Sequence, residues 1–285
     1  MSKILVTGAN GQLGQCFKEL SVALDPDNTY LFKSSKDLDI TDAKQVLAAF
    51  TSGNFDFCIN CAAYTNVDKA ESDTQNAVNV NSIGPKNLAT ACHQTNTTLL
   101  HISTDFVFNG AKNSPYIETD KTAPLSVYGN TKCVGETEII KNAPKSYIIR
   151  TSWLYSEYGR NFMKTMIRFG NEKDSLSVIN DQTGTPTYAK DLAEVLIKII
   201  QKKPIPYGIY HYSNEGTATW FDFAKAIFDI SKSTIQLHPI ATEAYPLPAK
   251  RPKYSVLNSS KIKTALELEI PAWHDSLKKA ISALS

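Results

Sequence analysis

The chain has 285 residues, of which 42% are hydrophobic, and its 30 basic and 28 acidic side chains give a formal net charge of +2. This length can bury a large core, and the nearly balanced charge gives no reason to expect a nucleic acid or an acidic membrane as partner. No apolar run approaches the roughly 18 residues of a membrane-spanning helix, and the start lacks the pattern of a signal peptide, so we expect a cytoplasmic protein.

Short apolar runs alternate with longer amphipathic stretches through the first 150 residues. The runs predict strands near Ile4–Thr7, Thr29–Phe32, Phe55–Asn60, Thr98–Ser103 and Tyr147–Arg150. The stretches between them predict helices near Gln12–Leu24, Ala43–Thr51, Thr74–Gln94 and Tyr128–Lys141. This alternation is typical of an α/β fold with a doubly wound parallel sheet, the Rossmann arrangement, which we assign to residues 1–150.

The second half is less regular and richer in Pro and aromatic residues. It predicts strands near Ser175–Ile179 and Ile209–Tyr212, and a Pro-rich loop over residues 239–252. Helices are predicted near Asn161–Phe169, Asp191–Lys202, Trp220–Ser231 and Asp275–Leu284. We assign residues 151–285 to a second, smaller α/β substrate-binding lobe. As an alternative, the elements near residues 175–202 could pack with the first domain instead of the second.

A glycine-rich turn follows the first predicted strand, with Gly8, Gly11 and Gly14 spaced as G-x-x-G-x-x-G. Glycines allow a sharp turn and the close approach of a phosphate, and the first turn of the following helix offers free N–H groups and the positive end of its dipole. The turn therefore predicts a site for the pyrophosphate of a dinucleotide. Its spacing differs from the G-x-G-x-x-G fingerprint, and an ordinary strand-to-helix turn is the alternative.

Tyr128 and Lys132 stand four residues apart and share one face of a predicted helix. An ammonium about 4 Å from the phenol, at an effective dielectric constant near 20, would favour the phenolate by roughly 4 kcal/mol. We therefore expect Lys132 to lower the pKa of Tyr128 toward about 7, where the phenol can exchange protons with a carbonyl compound. Thr104 ends the fourth predicted strand, at the sheet edge where ligands bind, although a helix cap or turn is an equally good interpretation of Ser103-Thr104-Asp105.

The five cysteines are scattered and odd in number, so no disulfide framework is expected. Cys58 and Cys61 form a C-x-x-C within an apolar strand, where residues three apart point to opposite faces, and we expect them to pack in the core. The histidines show no metal-ligand spacing either, and we expect no metal.

The chain resembles the extended short-chain dehydrogenase/reductase family, and most closely its dTDP-4-dehydrorhamnose reductase branch. The resemblance rests on seven segments that occur in order over nearly the whole chain. They are residues 8–14, 60–71, 103–108, 127–132, 150–155, 180–187 and 251–252.

The resemblance implies hydride transfer from NAD(P)H to the C4 ketone of dTDP-4-dehydro-L-rhamnose. Tyr128 would supply the proton, Lys132 would lower its pKa and hold the nicotinamide ribose, and Thr104 would take the place of the serine found in many relatives. Asp105 and Trp153 would contact the nucleotide sugar, with an ordinary core aromatic as the alternative for Trp153.

The resemblance also implies a set of coenzyme contacts. The pyrophosphate would meet Asn10, Gly11, Gln12 and Leu13, the coenzyme channel would be lined by Ala62, Ala63 and Tyr64, and the adenine would be flanked by Asp39 and Ile40. Asp39 could instead cap the helix that begins near Ala43. Arg251 would bind the substrate diphosphate through its bidentate fork, with a surface arginine as the alternative.

Two departures from the family pattern are informative. The second strand runs into Lys33-Ser34-Ser35, without the carboxylate that would hold a ribose 2′-hydroxyl, and these residues better suit a 2′-phosphate. We therefore expect NADPH to be preferred, with use of NADH left open. Phe106 stands where the family usually has Tyr, so one hydroxyl is lost beside the site.

Two other functions stay open from the sequence. The fold also occurs in non-catalytic NADP-binding regulatory subunits, so the fold alone does not establish catalysis. A nucleotide-sugar epimerase or dehydratase would need a further acid or base beside Thr104 and Asp105, but Phe106 follows instead of the Glu of dehydratases. A homodimer is also left open.

Overall fold

The computed structural model describes residues 1–202 and 205–284. The strands are β1 (Lys3–Thr7), β2 (Thr29–Lys33), β3 (Phe57–Asn60), β4 (Thr98–Thr104), β5 (Ser146–Thr151), β6 (Leu154–Tyr155), β7 (Ser175–Ile179), β8 (Thr183–Gly184), β9 (Thr187–Tyr188), β10 (Gly208–His211), β11 (Ala218–Thr219) and β12 (Gln236–Ile240). The α-helices are α1 (Gln12–Leu24), α2 (Ala43–Gly53), α3 (Val67–Ala70), α4 (Thr74–Val78), α5 (Gly84–Gln94), α6 (Val127–Asn142), α7 (Phe162–Glu172), α8 (Ala189–Gln201), α9 (Trp220–Ser231), α10 (Ser260–Leu266) and α11 (Trp273–Ser282).

A six-stranded parallel sheet with the order β10-β5-β4-β3-β1-β2 forms the centre of the molecule. This arrangement confirms the predicted doubly wound sheet, and its sixth strand, β10, comes from the second half of the chain. The register pairs Thr7 with Asn60 and Asn60 with His101 on the neighbouring strand. Polar residues near the carboxyl ends of three strands therefore lie side by side, which positions the candidate site.

Two apolar layers cover the two faces of this sheet. One contains α1, α8 and α10, and Phe17, Leu196 and Ile262 are fully buried or nearly so within it. The other contains α2, α5 and α6, with Phe50 and Leu88 buried between them. Helix α8 thus packs on the first sheet, although it follows residue 150. The division at residue 150 stays a prediction, and residues 203, 204 and 285 lie outside the described part of the chain.

A separate core lies among α7, α9 and α11, around the buried Met163, Phe223 and Trp273. The parallel pair of β7 and β12 lies beside it. Strand β12 extends into the segment predicted as a Pro-rich loop and includes Pro239, paired with Val178. Proline is tolerated there because this two-stranded sheet consists only of edge strands. None of the helices in residues 1–202 and 205–284 has the length and apolarity needed to cross a bilayer.

The predicted helix over residues 74–94 is interrupted. Helix α4 continues into a π-helical turn at Asn79–Ile83 before α5 begins. Pro85, in the first turn of α5, has no N–H and so cannot donate the ordinary helical hydrogen bond to the carbonyl four residues earlier. The wider turn accommodates an extra residue and points Asn81 toward the candidate site, where it binds the backbone of Tyr64.

Candidate active site

The glycine turn forms a close-packed cradle between β1 and α1. Gly8 has φ +67°, and a Cβ there would lie 2.5 Å from the backbone nitrogen of Ala62. Gly11 precedes α1 and provides no side-chain cap for the N–H groups of the first helical turn. These groups are available to an anion, as the pyrophosphate prediction requires.

A cavity of about 640 Å³ opens beside this turn. It is lined by Ala9, Asn10, Gln15, Lys18, Glu19, Phe32, Ser34, Asp37 and Tyr158. Its position between the glycine turn and the end of β2 suits the adenosine half of a dinucleotide. Sequence reasoning missed Lys18 and Tyr158, because one lies two turns along α1 and the other comes from the second half of the chain.

Two residues predicted to meet the pyrophosphate direct their side chains elsewhere. The side chain of Leu13 is buried in the core, and Oε1 of Gln12 accepts a hydrogen bond of 2.8 Å from Nδ2 of Asn161. Gln12 and Leu13 can therefore contact a phosphate only through their backbone N–H groups, which lie in the first turn of α1.

Asp37, four residues beyond β2, places a carboxylate that the sequence analysis did not predict against the end of that strand. The carboxylate of Asp37 accepts hydrogen bonds from the N–H of Ser34 at 2.9 Å and from its hydroxyl at 2.6 Å, and these bonds lower the pKa of Asp37. The carbonyl of Lys33 accepts a hydrogen bond from the N–H of Ala9 at 3.1 Å. A negative charge therefore stands where Lys33 and Ser34 were predicted to favour a 2′-phosphate.

The residues predicted beside the adenine lie in the loop before α2. The carboxylate of Asp39 accepts hydrogen bonds from the N–H and the hydroxyl of Thr41. The cap of α2 is Asp42, whose side chain accepts from two backbone N–H groups, so the alternative role of Asp39 as that cap is wrong. The side chain of Ile40 is buried in the core, which leaves its backbone for contact with a ligand.

The segment Ala62–Tyr64 follows β3, and the side chain of Asn81 binds its backbone at Tyr64. Oδ1 of Asn81 accepts from the N–H of Tyr64 at 2.9 Å, and Nδ2 of Asn81 donates to the carbonyl of Tyr64 at 3.0 Å. The Tyr64 hydroxyl donates to Asp73 at 2.9 Å. Side-chain hydrogen bonds therefore hold this loop in place along the predicted coenzyme channel. Asn81 was not found from the sequence because only the π-helical turn brings it there.

Tyr128 lies in the first turn of α6, and Thr104 ends β4 next to it. The hydroxyl of Ser126 caps the helix by accepting from the N–H of Gly129 at 3.2 Å. A Cβ at Gly129 would lie 2.3 Å from the carbonyl oxygen of Phe106, so glycine lets the turn after β4 approach the helix. The ring of Phe106 then packs edge-on against Tyr128 at 5.7 Å. This packing orients the phenol without the hydroxyl that Tyr would add at position 106.

The pKa of Tyr128 differs from the sequence prediction. Burial raises the pKa of Tyr128 to about 12, the nearby hydroxyl of Thr104 lowers it, and the charge of Asp105 raises it. The expected lowering by Lys132 is wrong for this structure. The ammonium of Lys132 instead donates to the carbonyl of Ile102 at 2.6 Å, so desolvation of the phenol dominates.

Lys132 is buried near His101 and Glu136, two polar residues that the sequence did not predict as its neighbours. Its Nζ lies 3.3 Å from Nε2 of His101, and Nδ1 of His101 lies 2.9 Å from Nδ2 of Asn60. One helical turn along α6, Glu136 forms a bidentate ion pair with Arg150, with distances of 2.9 and 2.7 Å. Burial lowers the pKa of Lys132 to about 8, whereas the charge of Glu136 raises it.

Asp105 is only 1% exposed, and its Oδ2 has no hydrogen-bond partner. Oδ1 of Asp105 accepts from the hydroxyl of Thr104 at 3.1 Å. Burial raises the pKa of Asp105 to about 7, against the lowering effect of the Ser255 and Thr104 hydroxyls. Oδ2 of Asp105 is enclosed, so a ligand hydroxyl would reach it only if the side chains around it, Ser255 among them, moved aside.

Trp153 has a left-handed backbone, with φ +45°, and its ring stacks on Trp220 at 3.6 Å. Nε1 of Trp220 donates to Oε1 of Gln182 at 3.1 Å. Trp153 is half-buried rather than part of a closed core. A strained backbone at a partly open aromatic ring is typical of a binding residue, and Trp220 is a neighbour that the sequence did not indicate.

Arg251 forms a bidentate ion pair with Asp68, at 3.0 and 2.7 Å. Its side chain is 16% exposed, so Arg251 is half-buried rather than a freely exposed surface arginine. Arg251, Gln182 and Lys253 line a cavity of about 560 Å³. A diphosphate in this cavity would have to share or replace the carboxylate of Asp68.

Cys58 is fully buried in the core as predicted, whereas Cys61, the residue after β3, is only half-buried and packs against the edge of the other core cluster. Within residues 1–202 and 205–284, no group of His, Cys, Asp and Glu has the geometry to hold a metal ion.

The chain matches the protein family described as the RmlD substrate binding domain over residues 2–285. It is 42% identical to a dTDP-4-dehydrorhamnose reductase of Aggregatibacter actinomycetemcomitans, and 98% of each chain is covered. A solved structure of a dTDP-4-dehydrorhamnose reductase from Clostridium acetobutylicum superposes with a TM-score of 0.94 at 42% identity, with 99% of each chain covered. The corresponding enzyme of Bacillus anthracis, solved in complex with NADP, has a TM-score of 0.94 and 39% identity, again over 99% of each chain.

Proposed function

The chain belongs to the family described as the RmlD substrate binding domain, and from that premise we propose that it is an NADPH-dependent reductase of dTDP-4-dehydro-L-rhamnose. The product is dTDP-L-rhamnose. The relatives of known name that cover the whole chain support this activity. The observation in the structure that supports it most is the placement of Tyr128 beside Thr104 at the carboxyl edge of the sheet.

Tyr128 is suited to give a proton to a ketone. Reduction needs a proton donor, and Tyr128, whose pKa burial raises to about 12, carries its proton at neutral pH and is still a stronger acid than the alcohol formed from the ketone. A hydroxyl at Thr104 can hydrogen-bond the same carbonyl oxygen and hold it in front of the phenol. As the oxygen gains negative charge during reduction, the phenol proton passes to it and Thr104 stabilises it.

NADPH supplies the hydride when it is bound. The cradle at Gly8 and the open N–H groups of α1 fit its pyrophosphate, and the cavity of about 640 Å³ fits its adenosine half. Lys18 lines that cavity and adds a positive charge for a 2′-phosphate, whereas Asp37 opposes one. We therefore propose a preference for NADPH that is moderate and leaves NADH usable.

The nucleotide sugar would lie between Tyr128 and the second cavity. Oδ2 of Asp105, which is enclosed in this structure, would accept a hydrogen bond from a sugar hydroxyl once substrate binding opens its surroundings, and the half-buried ring of Trp153 offers an apolar face to the sugar. Arg251 and Lys253 supply positive charge for the diphosphate in the cavity of about 560 Å³. These roles are proposals that rest on position and chemistry.

The test measures NADPH oxidation with dTDP-4-dehydro-L-rhamnose generated in situ, for the wild type and Tyr128→Phe. Loss of the proton donor should lower kcat roughly 100-fold or more, because general acid catalysis contributes about 10²–10⁴-fold. Tyr207→Phe, which removes the same atom from an exposed residue, should leave kcat unchanged. A wild type without turnover would refute the reductase and favour a non-catalytic NADP-binding subunit.

The cytoplasmic location and the homodimer stay predictions, as does the expectation that nucleic acid is not a partner.

A further inference from the structure

A continuous line of buried side chains runs from β1 to Lys132. The hydroxyl of Thr7 donates to Oδ1 of Asn60 at 2.7 Å, and Nδ2 of Asn60 lies 2.9 Å from Nδ1 of His101. Nε2 of His101 lies 3.3 Å from Nζ of Lys132. Thr7, Asn60 and His101 are each at most 1% exposed, so the whole line lies inside the protein.

The orientation of the Asn60 amide is determined by a backbone group. The N–H of Ala62 can only donate, and it lies 3.1 Å from Oδ1 of Asn60. The amide nitrogen of Asn60 must therefore face His101 and donate to it. Nδ1 of His101 is then an acceptor, and the hydrogen of the neutral imidazole is on Nε2.

This tautomer directs an N–H toward the amine of Lys132. An N–H and an ammonium are both donors, so they cannot hydrogen-bond to each other. The uncharged amine, in contrast, can accept the Nε2 hydrogen with its lone pair while it still donates to the carbonyl of Ile102. The imidazole thus favours the neutral form of Lys132.

From this geometry we infer that Asn60 and His101 are positioning residues that control the proton affinity of Lys132 by holding His101 as the Nε2–H tautomer. Glu136 on α6 and Cys61 after β3 are the other titratable groups that face Lys132. The charge of Glu136 favours the ammonium, whereas burial raises the pKa of Cys61 and keeps its thiol uncharged. Because His101 opposes Glu136, the ammonium of Lys132 is less favoured than the charge of Glu136 alone would make it. The consequence for catalysis rests on the proposed reductase function.

Nuclear magnetic resonance of the protein labelled with ¹⁵N-histidine and ¹³C-lysine tests this inference without coenzyme or turnover. In the wild type, Nδ1 of His101 should have the chemical shift of an unprotonated ring nitrogen and Nε2 that of a protonated one. Protonation on Nδ1 would overturn the inference. A lack of reductase activity would not affect this result, so the two proposals can fail separately.

Two nearly isosteric variants then test the effect on Lys132. In Asn60→Asp the carboxylate can only accept, so the imidazole hydrogen moves to Nδ1, and Nε2 becomes an acceptor for the ammonium. Asn60→Leu is the neutral control, in which nothing holds the Nε2–H tautomer. Both should raise the pKa of Lys132 by at least one unit, a tenfold gain in proton affinity.

A rise in Asn60→Asp alone would be an effect of the added charge and would overturn the inference. If Asn60→Leu does not fold, the tautomer of the wild type decides the question. The dependence of kcat on pH provides a separate readout, because its alkaline limb should move to higher pH in Asn60→Asp. If Asn60 had a purely structural role, the substitution would lower kcat without moving that limb.

Discussion

The buried ion pair of Glu136 and Arg150 leads to the sharpest prediction for stability. Both side chains are at most 4% exposed, and Nε and Nη2 of Arg150 contact the two carboxylate oxygens at 2.9 and 2.7 Å. The hydroxyl of Ser103 donates to the same carboxylate. Glu136→Gln keeps the shape of the side chain but leaves a buried guanidinium without its counter-charge.

Removing one partner of a buried pair typically costs about 3–5 kcal/mol of unfolding free energy. For a chain of 285 residues, the entropy of unfolding is about 0.6 kcal/mol per kelvin. The expected decrease in Tm is therefore about 5–8 °C. The pKa of Lys132 should fall below about 8, because the carboxylate that favours its ammonium is gone.

Calorimetry and a lysine NMR titration check the two parts of this prediction. The matched control is Glu19→Gln, which breaks an ion pair with Lys190 in which the carboxylate is 46% exposed. Such pairs contribute about 0–1 kcal/mol, so the control should lose less than about 2 °C. Equal losses of Tm in the two variants would refute the reasoning about burial.

Two further predictions concern buried and surface carboxylates. Since burial raises the folded-state pKa of Asp105 to about 7, its contribution to stability is complete below about pH 4 and is lost as the pH rises through 7. The free energy of unfolding of Asp105→Asn, measured by urea denaturation, should therefore rise relative to that of the wild type by up to about 4 kcal/mol between pH 4 and pH 8. A difference between the two proteins that does not change with pH would contradict this. Asp37→Asn removes the carboxylate that occupies the donors of Ser34. It should raise the ratio of kcat/KM for NADPH over NADH, because the exposed negative charge that opposes a 2′-phosphate is gone, and this effect should weaken at high salt. The exposed Asp27→Asn should leave that ratio unchanged, and a fall in Asp37→Asn would count against this role.

Features that depend on short stretches of chain were predicted well. The alternation of strands and helices indicated the parallel sheet, which the structure confirms. The glycine turn and the four-residue spacing of Tyr128 and Lys132 follow from local backbone geometry, so residues close in sequence were enough to find them. Helix α4 and the π-helical turn were less predictable, because a single proline changes the hydrogen bonding of a region that otherwise has an ordinary helical pattern.

Contacts between distant parts of the chain decided the rest of the site. His101 meets Lys132 across 31 residues, Asn60 meets His101 across 41, and Arg251 meets Asp68 across 183. No spacing rule connects such residues, because their proximity depends on strand order and on the packing of α6 against the sheet. The same packing excludes water, so desolvation rather than the neighbouring ammonium governs the pKa of Tyr128. Residue order therefore identifies which groups can react, whereas burial and long-range partners determine the protonation state in which each of them is held.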